Sequence, residues 1–251
     1  MIERTTHGDA RVLTLRHGPA NALDTDLLGA LVATLGEEAA QPHRGLILTG
    51  HGSMFSAGLD LLALENADRE EIARLVQALG DALVALFDHP RPTIAAINGH
   101  AVAGGALLAL ACDQRIMAEG KGKIGLTESQ LGLIVPPSNI EMLRYPLPRP
   151  VLEKVVYGGA LYPTFKAQDM GLVDTVVEPE ELLDQCLEEI VTWTPSEAAF
   201  ADIKRRLHAP TLEAMERARP DDADFVDRWF DETTQAAIGA AIEKLRAPRG
   251  G

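Results

Sequence analysis

The chain has 251 residues, 46% hydrophobic and 24% charged with few aromatics, which fits one large globular domain or a domain with an appendage. Its formal net charge of −14 argues against a nucleic-acid partner, because phosphate binding needs clustered Lys and Arg, and the longest basic cluster, Lys204-Arg205-Arg206, reads as a solvated helix face. Two cysteines, Cys112 and Cys186, give no disulfide framework, no His/Cys/carboxylate grouping has metal-ligand spacing, no apolar run approaches the ~18 residues that span a membrane, and no signal-peptide core opens the chain, so the expectation is a cytoplasmic protein without metal or membrane partner.

Taken in order, Val12 to Leu15 reads as a short strand ended by His17-Gly18-Pro19, and Asp24 caps an amphipathic helix to about Ala40 with Leu27, Leu28, Leu31 and Leu35 on one stripe. Gly45 to Thr49 is a buried strand, followed by the loop Gly50 to Ser53 and the segment FSAGLDL, Phe55 to Leu61. Asp68 or a neighbour caps a long helix to about Phe87, with Ile72, Leu75, Val76, Leu79, Leu83 and Leu86 at helical spacing.

The stretch Thr93 to Asp113 follows. Thr93 to Ile97 is a β-branched buried strand, Asn98-Gly99 a turn, and Gly104 to Ala111 a helix without a polar residue. A helix N-terminus at the end of a sheet presents unsatisfied backbone N–H groups that stabilise negative charge, and glycines there let a ligand approach the backbone. That charge can be a phosphate or a developing oxyanion.

Gln114 to Ala118 is another strand, Ile124 to Gly132 a tight segment of mixed character, and Pro136-Pro137-Ser138 opens a helix to about Arg144. Val151 to Tyr157 and Lys166 to Met170 are short helices, and Val173 to Val177 is the last strand. Alternating strands and helices predict an α/β architecture with a largely parallel sheet. After Pro179 only helices are expected: Glu180 to Trp193, Pro195 to His208, and Leu212 to about Arg246, the last carrying Phe225, Trp229, Phe230, Ile238 and Ile242. The expected division is a core of residues 1–190 and a helical region of residues 191–251 that packs on the core or on a neighbouring subunit.

FSAGLDL, NGHAVAGGALLALACD and IGLTESQLG, in this order and followed by AQDMGLVDTVV, resemble the crotonase (enoyl-CoA hydratase/isomerase) superfamily. The resemblance implies a spiral of ββα units with a helical C-terminal region, assembled as a homotrimer or a dimer of trimers. It also implies an acyl-CoA thioester substrate and no separate cofactor, coenzyme A being part of the substrate. The oxyanion hole would consist of the backbone N–H groups of Leu59 and Gly104, which selects the oxyanion over the phosphate. Ala57, Gly58, Leu59, Asp60, Leu61, Gly104 and Thr127 would line the substrate channel, with Asp60 capping the turn or contacting the adenosine side.

Hydratases of this family carry two glutamates. Here the first of those positions is Leu107 and the second is Glu128. One carboxylate beside a stabilised enolate suits moving a proton between two carbons, whereas hydration uses two. The pattern is most similar to mitochondrial-type Δ3-Δ2-enoyl-CoA isomerase. The expected reaction shifts the double bond of a 3-enoyl-CoA to the 2-trans position with Glu128 as the catalytic acid–base. The alternatives are crotonase-type decarboxylation, thioester hydrolysis or hydration, and, from another class, a catalytically idle binding protein. The early segment Gly18 to Ala22 lacks the lysine that many hydratases carry there, so the contacts to the CoA phosphates are not assigned.

Overall fold

The computed structural model describes residues 1–194 and 196–247. Two strands form the opening hairpin, β1 (Ile2–His7) and β2 (Ala10–Leu15), and are followed by α1 (Thr25–Ala39). A pattern of strand, short strand and helix then recurs: β3 (Gly45–Gly50), β4 (Met54–Ser56) and α2 (Arg69–Phe87), then β5 (Thr93–Ile97), β6 (His100–Val102) and α3 (Gly104–Ala111). A third round begins with β7 (Gln114–Ala118) and β8 (Lys123–Gly125) and continues through a 3₁₀ turn, Glu128–Leu131, into α4 (Pro137–Leu143). The chain goes on through α5 (Arg149–Gly158), β9 (Tyr162–Pro163), α6 (Thr164–Met170) and β10 (Thr175–Val177). It finishes with α7 (Leu182–Trp193), α8 (Glu197–Ala218), α9 (Ala223–Trp229) and α10 (Glu232–Arg246).

The first strand of each round enters a six-stranded sheet, ordered β1-β2-β3-β5-β7-β10, and the second enters a four-stranded sheet, ordered β4-β6-β8-β9. All pairings in the large sheet are parallel except the β1–β2 hairpin. This is the expected α/β architecture of ββα units with a long helical C-terminal region. Both faces of the large sheet are covered, which is why its central strands read as continuous apolar runs. Leu46, Leu48, Ala95 and Ile97 enter the main core with α1, α2 and α3. Their neighbours Ile47, Ile94, Ala96 and Ile116 pack on the other face against Cys186 and Ile190 of α7.

The helix starts follow the capping residues. Asp24 accepts from the Leu27 N–H at 2.7 Å, and Asp68 forms a capping box with Glu71.

Several expectations need correction. The helix expected over Leu212 to Arg246 is three pieces, with α8 running through Pro210 to Ala218, a 3₁₀ turn at Arg219–Asp222, and a break at Phe230-Asp231 before α10. Pro220 opens that turn, and the Asp222 carboxylate is diverted to the Ser138 N–H and Oγ at 2.9 and 2.6 Å, which pins the bend against α4. Pro195, named as the start of a helix, and residues 248–251 lie outside the described residues. Residues 190 and 191, on either side of the expected division, both belong to α7, which leaves the division itself an expectation. Lys204 is not on a solvated face: it is 5% exposed and pairs at 2.7 Å with Asp113, because α8 turns that residue toward the end of α3. Among the described residues, no helix is long and apolar enough to cross a membrane.

Candidate active site

The segment Ala57–Asp60 is held by its neighbours' backbone and two small polar side chains. Asn21, fully buried with φ +48°, donates through Nδ2 to the carbonyls of Met54 and Phe55 at 2.9 and 3.3 Å. Ser56 Oγ donates to the Asn21 carbonyl at 2.7 Å and accepts from the Gly58 N–H at 3.2 Å. Leu23 then pairs with Leu59 as a single parallel bridge: the Leu23 N–H donates to the Gly58 carbonyl at 2.7 Å and the Asp60 N–H to the Leu23 carbonyl at 3.0 Å. Because backbone groups alternate sides along an extended chain, the Leu59 N–H points away from Leu23.

The start of α3 packs against this segment at Gly58. Gly58 has φ +81°, and a Cβ placed on it would sit 2.7 Å from the Val102 carbonyl oxygen and 3.2 Å from the Gly104 nitrogen, so the glycine permits a backbone-to-backbone approach. Ala103, the residue before α3, has φ +49° and ψ −119°, a strained conformation held by its N–H donating to the Gly125 carbonyl at 2.9 Å. No side chain caps α3, so the N–H groups of its first turn remain free at the N-terminal end of its dipole. Two chain segments far apart in sequence thus bring backbone donors to one wall.

Glu128 opens the 3₁₀ turn that follows β8 and is 9% exposed. Burial pushes its carboxyl pKa up to about 7, against a smaller lowering by backbone N–H donors at Glu128 and Thr127. Its Oε2 is buried without a hydrogen-bond partner. A carboxyl so placed is poised to exchange a proton near neutrality.

Donors and carboxyl meet in one cavity of about 500 Å³. Ala57, Leu59, Asp60, Leu61, Gly104, Thr127 and Glu128 all line it, and Gly58 sits behind the lining as its support. Leu107 faces the same space. The other carboxylate in the lining, Asp60, is engaged at the rim, where Oδ1 accepts from the N–H groups of Leu62 and Ala63 at 3.1 Å each. One buried carboxyl therefore faces the cavity.

The pattern of the enoyl-CoA hydratase/isomerase family matches residues 7–249. The chain belongs to that family. Enoyl-CoA delta isomerase 1 of Homo sapiens, a mitochondrial protein, is 30% identical and the match covers 100% of this chain and 84% of that protein. A protein of Thermus thermophilus described as a putative enoyl-CoA hydratase is 32% identical over 91% of this chain and 92% of its own. The crystal structure of human mitochondrial Δ3-Δ2-enoyl-CoA isomerase superposes with a TM-score of 0.93 at 28% identity, covering 99% of both chains. The chain is thus an enzyme of the family whose similar members are named as enoyl-CoA isomerases and hydratases.

The family motifs account for the donors and Glu128 but not for the rest of the cavity. Val76 and Leu79 of α2, Phe225 of α9, and Ala241, Lys244 and Leu245 of α10 also line it. Apart from the exposed Lys244, these are apolar residues at helical spacing, which marks burial without saying that one helix face meets a cavity. Asn21 and Asn98 were also missed as scaffolding: Asn98 Oδ1 accepts from the Gly50 N–H at 3.0 Å and Nδ2 donates to the Gly52 carbonyl at 2.9 Å.

Proposed function

We propose that the chain is a Δ3-Δ2-enoyl-CoA isomerase. The supporting observation is one buried carboxyl with a pKa near 7 and an unpartnered Oε2, facing an apolar cavity lined also by Leu59 and Gly104. In this reading the thioester carbonyl of a 3-enoyl-CoA accepts from those two donors. Glu128 removes a C2 proton, the electron pair delocalises onto the carbonyl oxygen and C4, and protonated Glu128 returns the proton to C4. Preorganised backbone donors contribute about 2.7–4 kcal/mol each to such a transition state by analogy with other oxyanion holes. Leu107 supplies no second acid–base group, which weighs against addition of water across the double bond.

The test is incubation with trans-3-hexenoyl-CoA, following conjugated enoyl thioester by absorbance, alongside Glu128→Gln. Turnover that the substitution abolishes is the expected result. Full activity in Glu128→Gln overturns the proton shuttle. A 3-hydroxyacyl thioester, carbon dioxide or free CoA as the product would assign hydration, decarboxylation or hydrolysis instead.

A further inference from the structure

The exposure of the lining residues orients the cavity. Leu62 and Leu245 are 45% and 56% exposed and mark its mouth, whereas Val76 and Phe225, away from Gly104 and Glu128 on α2 and α9, are 4% and 2% exposed and mark its blind end. A second cavity, of about 610 Å³, lies on the outer side of α2 and α9. Val76 lines both spaces, and of the adjacent residues on α9 Phe225 lines the first and Val226 the second. The partition is therefore about one side chain thick.

It is also stiff. Val76 is β-branched in mid-helix, where one χ1 rotamer dominates. Phe225 and Val226 are packed with Trp229, Ile238 and Ile242 in a cluster that includes Val76. Behind the wall, Ala73, Ala223 and Val226 offer apolar surface. The charges around that space are engaged with each other, Arg219 with Asp81 at 2.7 Å and Arg69 with Asp227.

We propose that Val76 and Phe225 form the wall that sets the maximum acyl-chain length, and that the cavity behind them takes the tail of a longer chain once the wall is cut back. This rests on the reading of the first cavity as an acyl-CoA site. Each methylene that finds apolar room raises affinity about fourfold. A plot of affinity against chain length then rises and breaks where the chain meets the wall.

Isothermal calorimetry with saturated acyl-CoAs of increasing even chain length measures that break without requiring turnover. Val76→Ala is expected to move the break at least two carbons longer, raising the affinity ratio of the first excluded chain to the last accepted one by about fifteenfold. Val76→Phe is expected to move it shorter, and Val76→Ala alone carries the test if the larger side chain prevents folding. A break that stays in place in a folded Val76→Ala protein overturns the inference, even if trans-3-hexenoyl-CoA is isomerised. A break that moves in a protein that isomerises nothing leaves the wall standing and removes the isomerase reading. Failure of every acyl-CoA to bind overturns both.

Discussion

Replacing Gly58 by alanine tests whether the donor pair is set by the close approach of two backbones. The substitution imposes two separate costs. An alanine at φ +81° pays roughly 1–2 kcal/mol for the left-handed conformation. Its Cβ would also stand 2.7 Å from the Val102 carbonyl oxygen, 3.0 Å from the Ala103 Cβ and 3.2 Å from the Gly104 nitrogen, and none of these is the end of a flexible side chain. Relief must come from moving segment 57–60 away from the start of α3, which misaligns the Leu59 and Gly104 N–H groups. Misplacing one such donor costs about 2.7–4 kcal/mol in the transition state, or 10²–10³ in rate. Gly52→Ala is the control, since φ there is +73° but a Cβ meets open space. The expected result is a loss of kcat/KM of about a hundredfold or more for trans-3-hexenoyl-CoA in Gly58→Ala, and near wild-type turnover in Gly52→Ala. Both variants should melt a few degrees lower from the shared backbone cost. A folded Gly58→Ala protein with kcat/KM within about threefold of wild type refutes the reasoning, because the loss of one donor demands far more.

The Glu128 carboxyl holds its proton more tightly in the folded state, with a pKa of about 7 against an ordinary 4.5, so it favours folding fully below the ordinary value and that contribution is lost as pH rises toward 7. Glu128→Gln should therefore melt higher than wild type at pH 8, with the gap closing toward pH 4.5, in melts recorded across that range; a gap that does not change with pH contradicts the assignment. As a base, the same group should make kcat/KM rise with pH through about 7. Lys244 stands exposed at the cavity mouth of a chain with net charge −14, so Lys244→Glu should raise KM for an anionic CoA thioester several-fold at low ionic strength, an effect that fades in high salt. An unchanged KM at low salt would remove Lys244 from the CoA-phosphate contacts.

The parts of the fold that were legible in the sequence are those fixed by local chemistry. The Asp24 cap marks its helix start to the residue, the second cap was expected at Asp68 or a neighbour and lies at Asp68, and the apolar run of α3 announces a helix buried on every side. The missed strands are those that exist through pairing. β1 alternates poorly because it is an edge strand with one partner, and β6 and β8 have three residues each and owe their form to the four-stranded sheet. In the cavity, Glu128 and the glycine turns lie in contiguous motifs, whereas its inner end and roof come from α2, α9 and α10, which no local pattern joins. The bend at Arg219–Asp222 carries a local signal in Pro220, whereas the contact that pins it, Asp222 to Ser138, joins residues 84 apart and was not legible.

The position of α10 has a consequence for how Glu128 behaves in solution. Thr234 Oγ1 donates to the Gly132 carbonyl at 3.3 Å, fastening α10 to the turn that carries Glu128, while Ala241 and Leu245 line the cavity that Glu128 faces. The elevated pKa comes from burial, and α10 adds to the cover over that turn. Were α10 displaced, water would reach the carboxyl and its pKa would fall back toward 4.5. The midpoint of its titration would therefore report whether that helix is in place.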